Sequence, residues 1–308
     1  MKKISLAYFG SPNFSANFLE KIITDTTINQ LIEVKLVVTQ LDKKVGRKQI
    51  LTQTPVSNVA KKAKISILND LGVPEKGRVP TGVKNEVSSF LNNVDLALVY
   101  AYGDLIPKKI LNLPKYGFWN IHPSLLPKYR GTSPIAAPLI NGDKTTGVTI
   151  IKMDEEIDHG PIIAQESLTI EDDDYRPDLE RKLTDLGFEM FKKLILTNLN
   201  ELQLTAQADE FATYTKKLSK QDGFIQFNKL KDLLKLTTNH QSLFTFYNLY
   251  RGLSPWPGIW TILPNGKRLK ITELSLTPNP YSLIPIRVQL EGKNEVDFKT
   301  FNGAYKIV

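Results

Sequence analysis

Cysteine is absent from all 308 residues. That excludes disulfides, thiolate zinc sites and a cysteine nucleophile, and nothing suggests an oxidising compartment. Long apolar runs are missing too. No stretch reaches the roughly 18 residues that a membrane-spanning helix needs, so no span is expected. The opening M-K-K-I-S-L-A-Y-F-G holds an apolar run too short for a secretory leader, and Gly10-Ser11-Pro12 breaks it without a cleavage site. A cytoplasmic protein is the expectation. Histidine is scarce: His122, His159 and His240 are the three. No Walker lysine motif occurs, and the first strand is followed by only one of the glycines of a dinucleotide fingerprint. Internal repeats and low-complexity tracts are also lacking.

What is there fits a globular protein. Apolar residues make up 41% and charged residues 23%. The length allows two domains, each with its own core. The net charge of +8 is unevenly placed. Residues 1–210 carry 26 basic and 26 acidic side chains, whereas residues 211–308 carry 14 and 6. A neutral first part joined to a basic last part suits a catalytic domain with a module that meets a polyanion. A solvated basic surface would give the same count, so charge alone does not choose.

Hydrophobic periodicity supplies the architecture. Strands are expected at 4–9, 32–38, 65–68, 94–100 and 117–121, with helices at 13–23, 55–64, 83–91 and 107–111. This alternation predicts a Rossmann-like α/β domain with a mostly parallel sheet. Residues 41–53 are polar and basic and read as an exposed loop. A helix at 133–141, antiparallel strands at 147–153 and 160–168, and a long helix at 176–199 complete a domain over 1–199. Residues 200–210 are polar and weakly patterned, a linker. From 211 to 308 short apolar runs separated by turns (224–227, 259–263, 269–276, 286–290, 296–298) predict a small OB-like β-barrel. Asn265-Gly266 marks a hairpin, and a helix at 229–251 interrupts the strands.

The chemistry concentrates between Asn120 and Gly160. The stretch begins N-I-H-P-S-L-L-P-K-Y-R-G and ends E-E-I-D-H-G. Asn120 and His122 end a strand, where open α/β sheets hold ligands. An amide N–H can stabilise an oxyanion, an imidazole can move a proton, and the carboxylate of Asp158 can orient the imidazole. Such a set suits transfer of an acyl group to an amine. The acidic group Asp154, Glu155, Glu156 and Asp158 lacks the glycine and terminal glutamate of a calcium loop, so no metal is expected. His159 reads as a surface turn residue, His240 as an exposed helical residue and Trp256 as a core anchor. Arg47, beside Gly46, is suited to gripping a phosphate with its planar fork.

The chain resembles the 10-formyltetrahydrofolate transformylase family, and within it the methionyl-tRNA formyltransferases. The residues that carry the likeness are F-G-S-P-N-F, T-Q-L-D-K-K-V-G-R, A-Y-G-D-L-I-P, N-I-H-P-S-L-L-P-K-Y-R-G, G-V-T-I-I-K-M-D, I-D-H-G, Y-T-K-K-L-S-K and P-W-P-G. The resemblance implies formyl transfer from 10-formyltetrahydrofolate to methionine on initiator methionyl-tRNA, with Asn120, His122 and Asp158 catalytic. It further implies folate contacts at Ser124, Leu125, Leu126, Pro127, Asp154 and Ile157. Contacts to tRNA are implied at Lys43, Lys44, Arg47, Lys48, Lys216, Lys217 and Lys220. No metal and no membrane enter, and the chain is expected to act as a monomer. The chain departs from the family where Leu41 replaces a frequent proline, where His159 replaces a common threonine, and after Arg47 at K-Q-I-L. A formyltransferase acting on a sugar amine or other small amine and a non-catalytic RNA-binding relative are the alternatives.

Overall fold

A computed structural model describes residues 2–45, 49–69, 71, 85–235, 240–277 and 281–307. By compactness these fall into two units. The first comprises residues 1–132, 147–168 and 180–214; the second comprises 133–146, 169–179 and 215–308. Two short segments expected within the first domain, 133–146 and 169–179, therefore cluster with the basic C-terminal residues.

The first unit is built on β1 (Ile4–Gly10), β2 (Ile32–Val38), β5 (Ser66–Leu68), β6 (Leu96–Tyr100), β7 (Phe118–His122), β9 (Thr145–Lys152) and β10 (Ile162–Thr169). They form one sheet in the order β10-β9-β7-β6-β1-β2-β5. Pairings from β5 through β7 are parallel, and β9 runs antiparallel to β7. The strands are near-continuous apolar runs because helices cover both faces. Helices α1 (Asn13–Thr24), α2 (Ile28–Leu31), α3 (Pro55–Lys62), α4 (Asn85–Leu91), α5 (Lys108–Leu111) and α7 (Arg176–Ile195) accompany them. On one face Tyr8 and Tyr100 pack against Phe18 of α1, which also meets Phe188 and Phe191 of α7. On the other, Ala7, Phe9, Val99 and Phe118 form a core with Ile110 and Leu111. Gly10 ends β1 because a Cβ there would lie 1.9 Å from Ser15 Oγ and 2.9 Å from the carbonyl of Tyr100.

Residues 41–53 differ from the loop expected. Lys43–Val45 (β3) and Ile50–Thr52 (β4) pair as a short antiparallel hairpin. Three-residue strands carrying two lysines give too little alternation to be read from sequence. The strand Arg130–Gly131 (β8) pairs with Tyr214–Thr215 (β11).

In the second unit, β12 (Ile259–Ile262), β13 (Arg268–Thr277), β14 (Ser282–Leu290) and β15 (Glu295–Asp297) form an antiparallel sheet in sequence order. The expected turn at 265–266 joins β12 to β13. Leu269, Ile271, Leu274, Leu283, Val288 and Leu290 share a core with Leu243, Phe246 and Tyr250. α6 (Ala136–Asn141) packs on α9 (His240–Leu253) so closely that a Cβ on Gly252 would lie 2.5 Å from Ile140 Cγ1. The single helix expected at 229–251 is two, α8 (Phe227–Leu233) and α9 (His240–Leu253). The run at 224–227 makes only a bridge from Phe224 to Trp260, since Phe227 already opens α8. The last helix, α10 (Phe298–Tyr305), was not expected; Asp297 caps it by accepting from the Thr300 N–H, at 3.2 Å. Trp256 is 47% exposed and anchors no core.

Candidate active site

Side chains alternate along β7, so Phe118, Asn120 and His122 share one face. Phe118 enters the apolar core on that face, and the next two positions carry polar groups instead. Both are nevertheless enclosed, with Asn120 8% and His122 3% exposed. Buried polar groups need partners. Loop 153–160, between β9 and β10, supplies one.

Asp158 stands at the centre. Its Oδ1 accepts from Asn120 Nδ2 at 3.0 Å and lies 3.5 Å from His122 Nδ1. Its Oδ2 accepts from the Gly131 N–H at 2.7 Å. The residue has a left-handed backbone (φ 52°), which aims the carboxylate back at β7. Two residues on, Gly160 lies so close to β9 that a Cβ would stand 1.9 Å from the Lys152 carbonyl. The loop turns back sharply because that position carries no side chain.

The other ring nitrogen of His122, Nε2, lies 2.9 Å from the carbonyl of Tyr129. A carbonyl only accepts, so Nε2 carries a hydrogen and donates it. Nδ1, facing Asp158, is left as the nitrogen that can take or give a proton. Asn120 has two amide hydrogens; one is held by Asp158, which leaves the other able to meet an oxyanion. Amide, imidazole and carboxylate thus converge as acyl transfer to an amine requires.

The residues expected to meet folate divide in two. Ser124 is buried; its hydroxyl donates to the Lys128 carbonyl at 2.6 Å, and its own carbonyl accepts from Thr149 Oγ1 at 2.7 Å. Leu126 is buried, its N–H donating to Thr149 Oγ1 and its carbonyl accepting from Gln165 Nε2. The Pro127 carbonyl accepts from the Thr213 N–H. These three shape the loop from inside. Leu125 is half-buried, and its Cδ2 would lie 2.5 Å from a Cβ on Gly147. Asp154 caps the acidic loop by accepting from the Glu156 N–H, and Ile157 is 62% exposed.

His159 is more than a surface turn residue. Its Nδ1 meets Asp154 Oδ2 at 2.6 Å and its Nε2 meets Asp209 Oδ2 at 3.4 Å. The hydrogen bond to Asp154 raises its pKa, and the charges of Asp154, Glu156 and Asp209 add to this. Asp209 is held below the usual carboxylate range by its bond to Arg130. Gln207 and Asp209 bear on the site but had no signal in the sequence, because 200–210 lacks both periodicity and a motif; Arg130 stands inside N-I-H-P-S-L-L-P-K-Y-R-G, yet nothing in that motif gives it a role. Among the described residues no group of three or more His, Asp and Glu is arranged to hold a metal ion.

Of the residues expected to meet nucleic acid, Lys43 and Lys44 are exposed on β3, with Lys43 Nζ donating to Gln40 Oε1. Arg47 and Lys48 lie outside the described residues. In the second unit Lys216, Lys217 and Lys220 are exposed, and Lys216 pairs with Asp222 at 2.8 Å. That bond comes first among those that pull the Asp222 carboxyl down to about 2. Among the described residues no helix is long and apolar enough to cross a membrane.

Comparison with known proteins shows the family. Residues 3–195 match the formyl transferase family, and residues 217–308 match the formyl transferase C-terminal domain. The methionyl-tRNA formyltransferase of Caldicellulosiruptor saccharolyticus is 38% identical over 277 residues, covering 89% of this chain and 80% of that protein. That of Mesoplasma florum is 33% identical over 100% of this chain and 90% of its own. Among solved structures, a 4-N formyltransferase from Francisella tularensis gives a TM-score of 0.62 at 22% identity, over 86% of this chain and 95% of that one. An N-formyltransferase from Helicobacter canadensis in complex with folinic acid and dTDP-3-aminofucose gives 0.59 at 22% identity, over 90% and 89%. At those identities the likeness speaks for the fold alone.

Proposed function

The chain belongs to the methionyl-tRNA formyltransferase family, and on that premise we propose that Asn120, His122 and Asp158 transfer a formyl group to the α-amine of methionine on initiator tRNA. The co-substrate is 10-formyltetrahydrofolate. The observation that carries the assignment is the carboxylate of Asp158, which meets the Asn120 amide and faces His122 Nδ1 on one side of β7.

The residues present fit the folate. Ile157 leaves an apolar side chain in water on a loop fixed at both ends by Asp154 and Asp158. A flat ring system would cover it, and backbone groups of 154–157 would be available to its polar edges. Leu125 adds apolar surface. Ser124, Leu126 and Pro127 act from behind, holding the loop in shape.

When bound, the folate supplies an activated formyl carbon. Asn120 turns its second N–H toward the charge that gathers on the formyl oxygen. His122 Nδ1 would take the proton that the attacking amine loses and return it to the folate nitrogen as the bond from that nitrogen to the formyl carbon breaks, so that tetrahydrofolate leaves. Asp158 keeps that nitrogen oriented and accepts from Asn120, so neither group must reorganise during the step.

The tRNA role is proposed for Lys43, Lys44, Arg47, Lys48, Lys217 and Lys220, with a smaller share for Lys216. What supports it is the basic surplus of residues 211–308 and the match there to the C-terminal domain of the family. The cytoplasm is proposed as the location, since charged tRNA is the acceptor. A monomer is proposed; sedimentation of a dimer whose dissociation abolishes activity would refute it. The functional test is formylation of charged initiator tRNA by wild type and by His122→Ala. Wild type should transfer, and the variant should be at least about 100-fold slower. A variant as fast as wild type would overturn the assignment.

A further inference from the structure

Arg130 is 2% exposed, yet the chemistry above makes no use of its charge. Burying a guanidinium is unfavourable unless its donors are met. Here Nε and Nη2 both donate to Gln207 Oε1, at 3.1 and 2.8 Å. Nη2 also meets Asp209 Oδ1 at 2.7 Å, and Nη1 meets Tyr214 Oη at 3.3 Å. A guanidinium only donates, so the Gln207 oxygen must face it. The Gln207 NH2 is thereby turned the other way, where Nε2 donates to the carbonyls of Asp158 (2.8 Å) and Gly160 (2.9 Å).

The same segment grips a second backbone position. Thr213 Oγ1 accepts from the Tyr129 N–H at 2.8 Å, and the Thr213 carbonyl accepts from the Arg130 N–H at 2.9 Å. Tyr129, like Asp158, is a non-glycine residue with a left-handed backbone (φ 64°). Such conformations persist only where their surroundings hold them. These two residues face the two nitrogens of His122: the Asp158 carboxylate lies opposite Nδ1, and the Tyr129 carbonyl accepts from Nε2.

From these contacts we infer that residues 207–213 are a positioning strap for the reaction. Gln207, oriented by Arg130, holds Asp158 in its left-handed turn, and Thr213 holds Tyr129. Neither touches substrate; both act through the residues that orient His122. The strap lies between the two family matches, which end at 195 and resume at 217. The inference rests on the roles proposed for His122 and Asp158.

Two variants of near-equal length separate the contacts. Gln207→Glu keeps an acceptor for Arg130 but removes both donors to the loop carbonyls. Gln207→Met removes donors and acceptor together. Both should lower kcat by on the order of 10- to 100-fold, with KM for folate and for tRNA within about threefold of wild type, as expected for misplacement of a reacting group. A second readout needs neither substrate nor turnover. The chain has three histidines, so imidazole 15N–1H resonances can be assigned by single substitutions. Those of His122 should move in both variants, and those of His240 should not. Wild-type kcat in both variants, or unmoved His122 resonances, would overturn the strap. So would a loss confined to Gln207→Met, which would leave only the Arg130 acceptor important, or a rise in KM alone. If wild type fails to formylate charged tRNA, the functional reading falls while the resonances still decide the strap.

Discussion

Asp158→Asn isolates the charge at the centre of the site. Asparagine tolerates a left-handed backbone as aspartate does, so the turn at φ 52° is preserved. Its single oxygen can keep the strong 2.7 Å contact with the Gly131 N–H. The amide NH2 then points where Oδ1 was, at Asn120 Nδ2 and His122 Nδ1. Donor meets donor at Asn120, which must rotate away from the position in which it can serve an oxyanion. At His122 the carboxylate that faces Nδ1 is gone. Losing one oxyanion donor costs on the order of 10²–10³ in kcat. Disorienting the imidazole adds to this, so kcat should fall by about 10³ or more, equivalent to about 4 kcal/mol in the barrier. The lost charge-assisted bond should cost only about 1.5–3 kcal/mol of stability, leaving the fold intact at assay temperature. The assay is steady-state formylation with 10-formyltetrahydrofolate and charged initiator tRNA, with thermal melting alongside. Both KM values should stay within about threefold. A folded variant retaining more than about a third of wild-type kcat would refute the reasoning.

Gly160→Ala places a methyl group 1.9 Å from the Lys152 carbonyl, so the loop must open; melting should drop and kcat should fall at least about tenfold, and an unchanged kcat would show that the turn does not position Asp158. His159 is raised above 6.5 by Asp154, so its ion pair stabilises the fold fully below that pH and is lost as pH rises through the folded value. The melting difference between wild type and His159→Gln should accordingly be larger near about pH 5.5 than near about pH 9, and an equal difference at both would remove the charged pair from the account. Lys217→Ala and Lys220→Ala should each lower the slope of log affinity for tRNA against log salt by about one, whereas Lys216→Ala, already paired with Asp222, should change it less. Dialysis against EDTA should leave transfer to pre-folded, charged tRNA unchanged; loss of activity restored only by a divalent ion would point to a metal at the acidic loop.

The strands that build the site were legible because a sheet covered on both faces writes itself as short apolar runs. The strand Ile32–Val38 was read to the residue, and β1 and β6 to within two. Asn120 and His122 were legible as a pair because period-two spacing puts them on one face of β7. Asp158 follows 36 residues after His122, and no periodicity relates a loop to the strand it folds over; residue chemistry proposed it as the orienting carboxylate, and the family likeness added to that. The strap at 207–213 was invisible for a related reason. Its bonds come from single side chains in an irregular segment with one short 3-10 turn at Asp209–Phe211, so its sequence resembles a linker. Between Lys229 and Arg251 one helix was read where there are two, and the apolar run at 296–298 concealed that Asp297 ends a strand and caps a helix.

The central claim is that this chain formylates methionine on initiator tRNA. The direct measurement supplies purified protein with 10-formyltetrahydrofolate and, in parallel, charged initiator tRNA, uncharged initiator tRNA and a nucleotide-linked amino sugar. Mild base then releases the esterified amino acid for mass spectrometry. The account predicts N-formylmethionine from the charged tRNA alone, with the His122→Ala protein at least about 100-fold slower. Formylation of the amino sugar with none of the charged tRNA would contradict it, and so would equal transfer by the His122 variant.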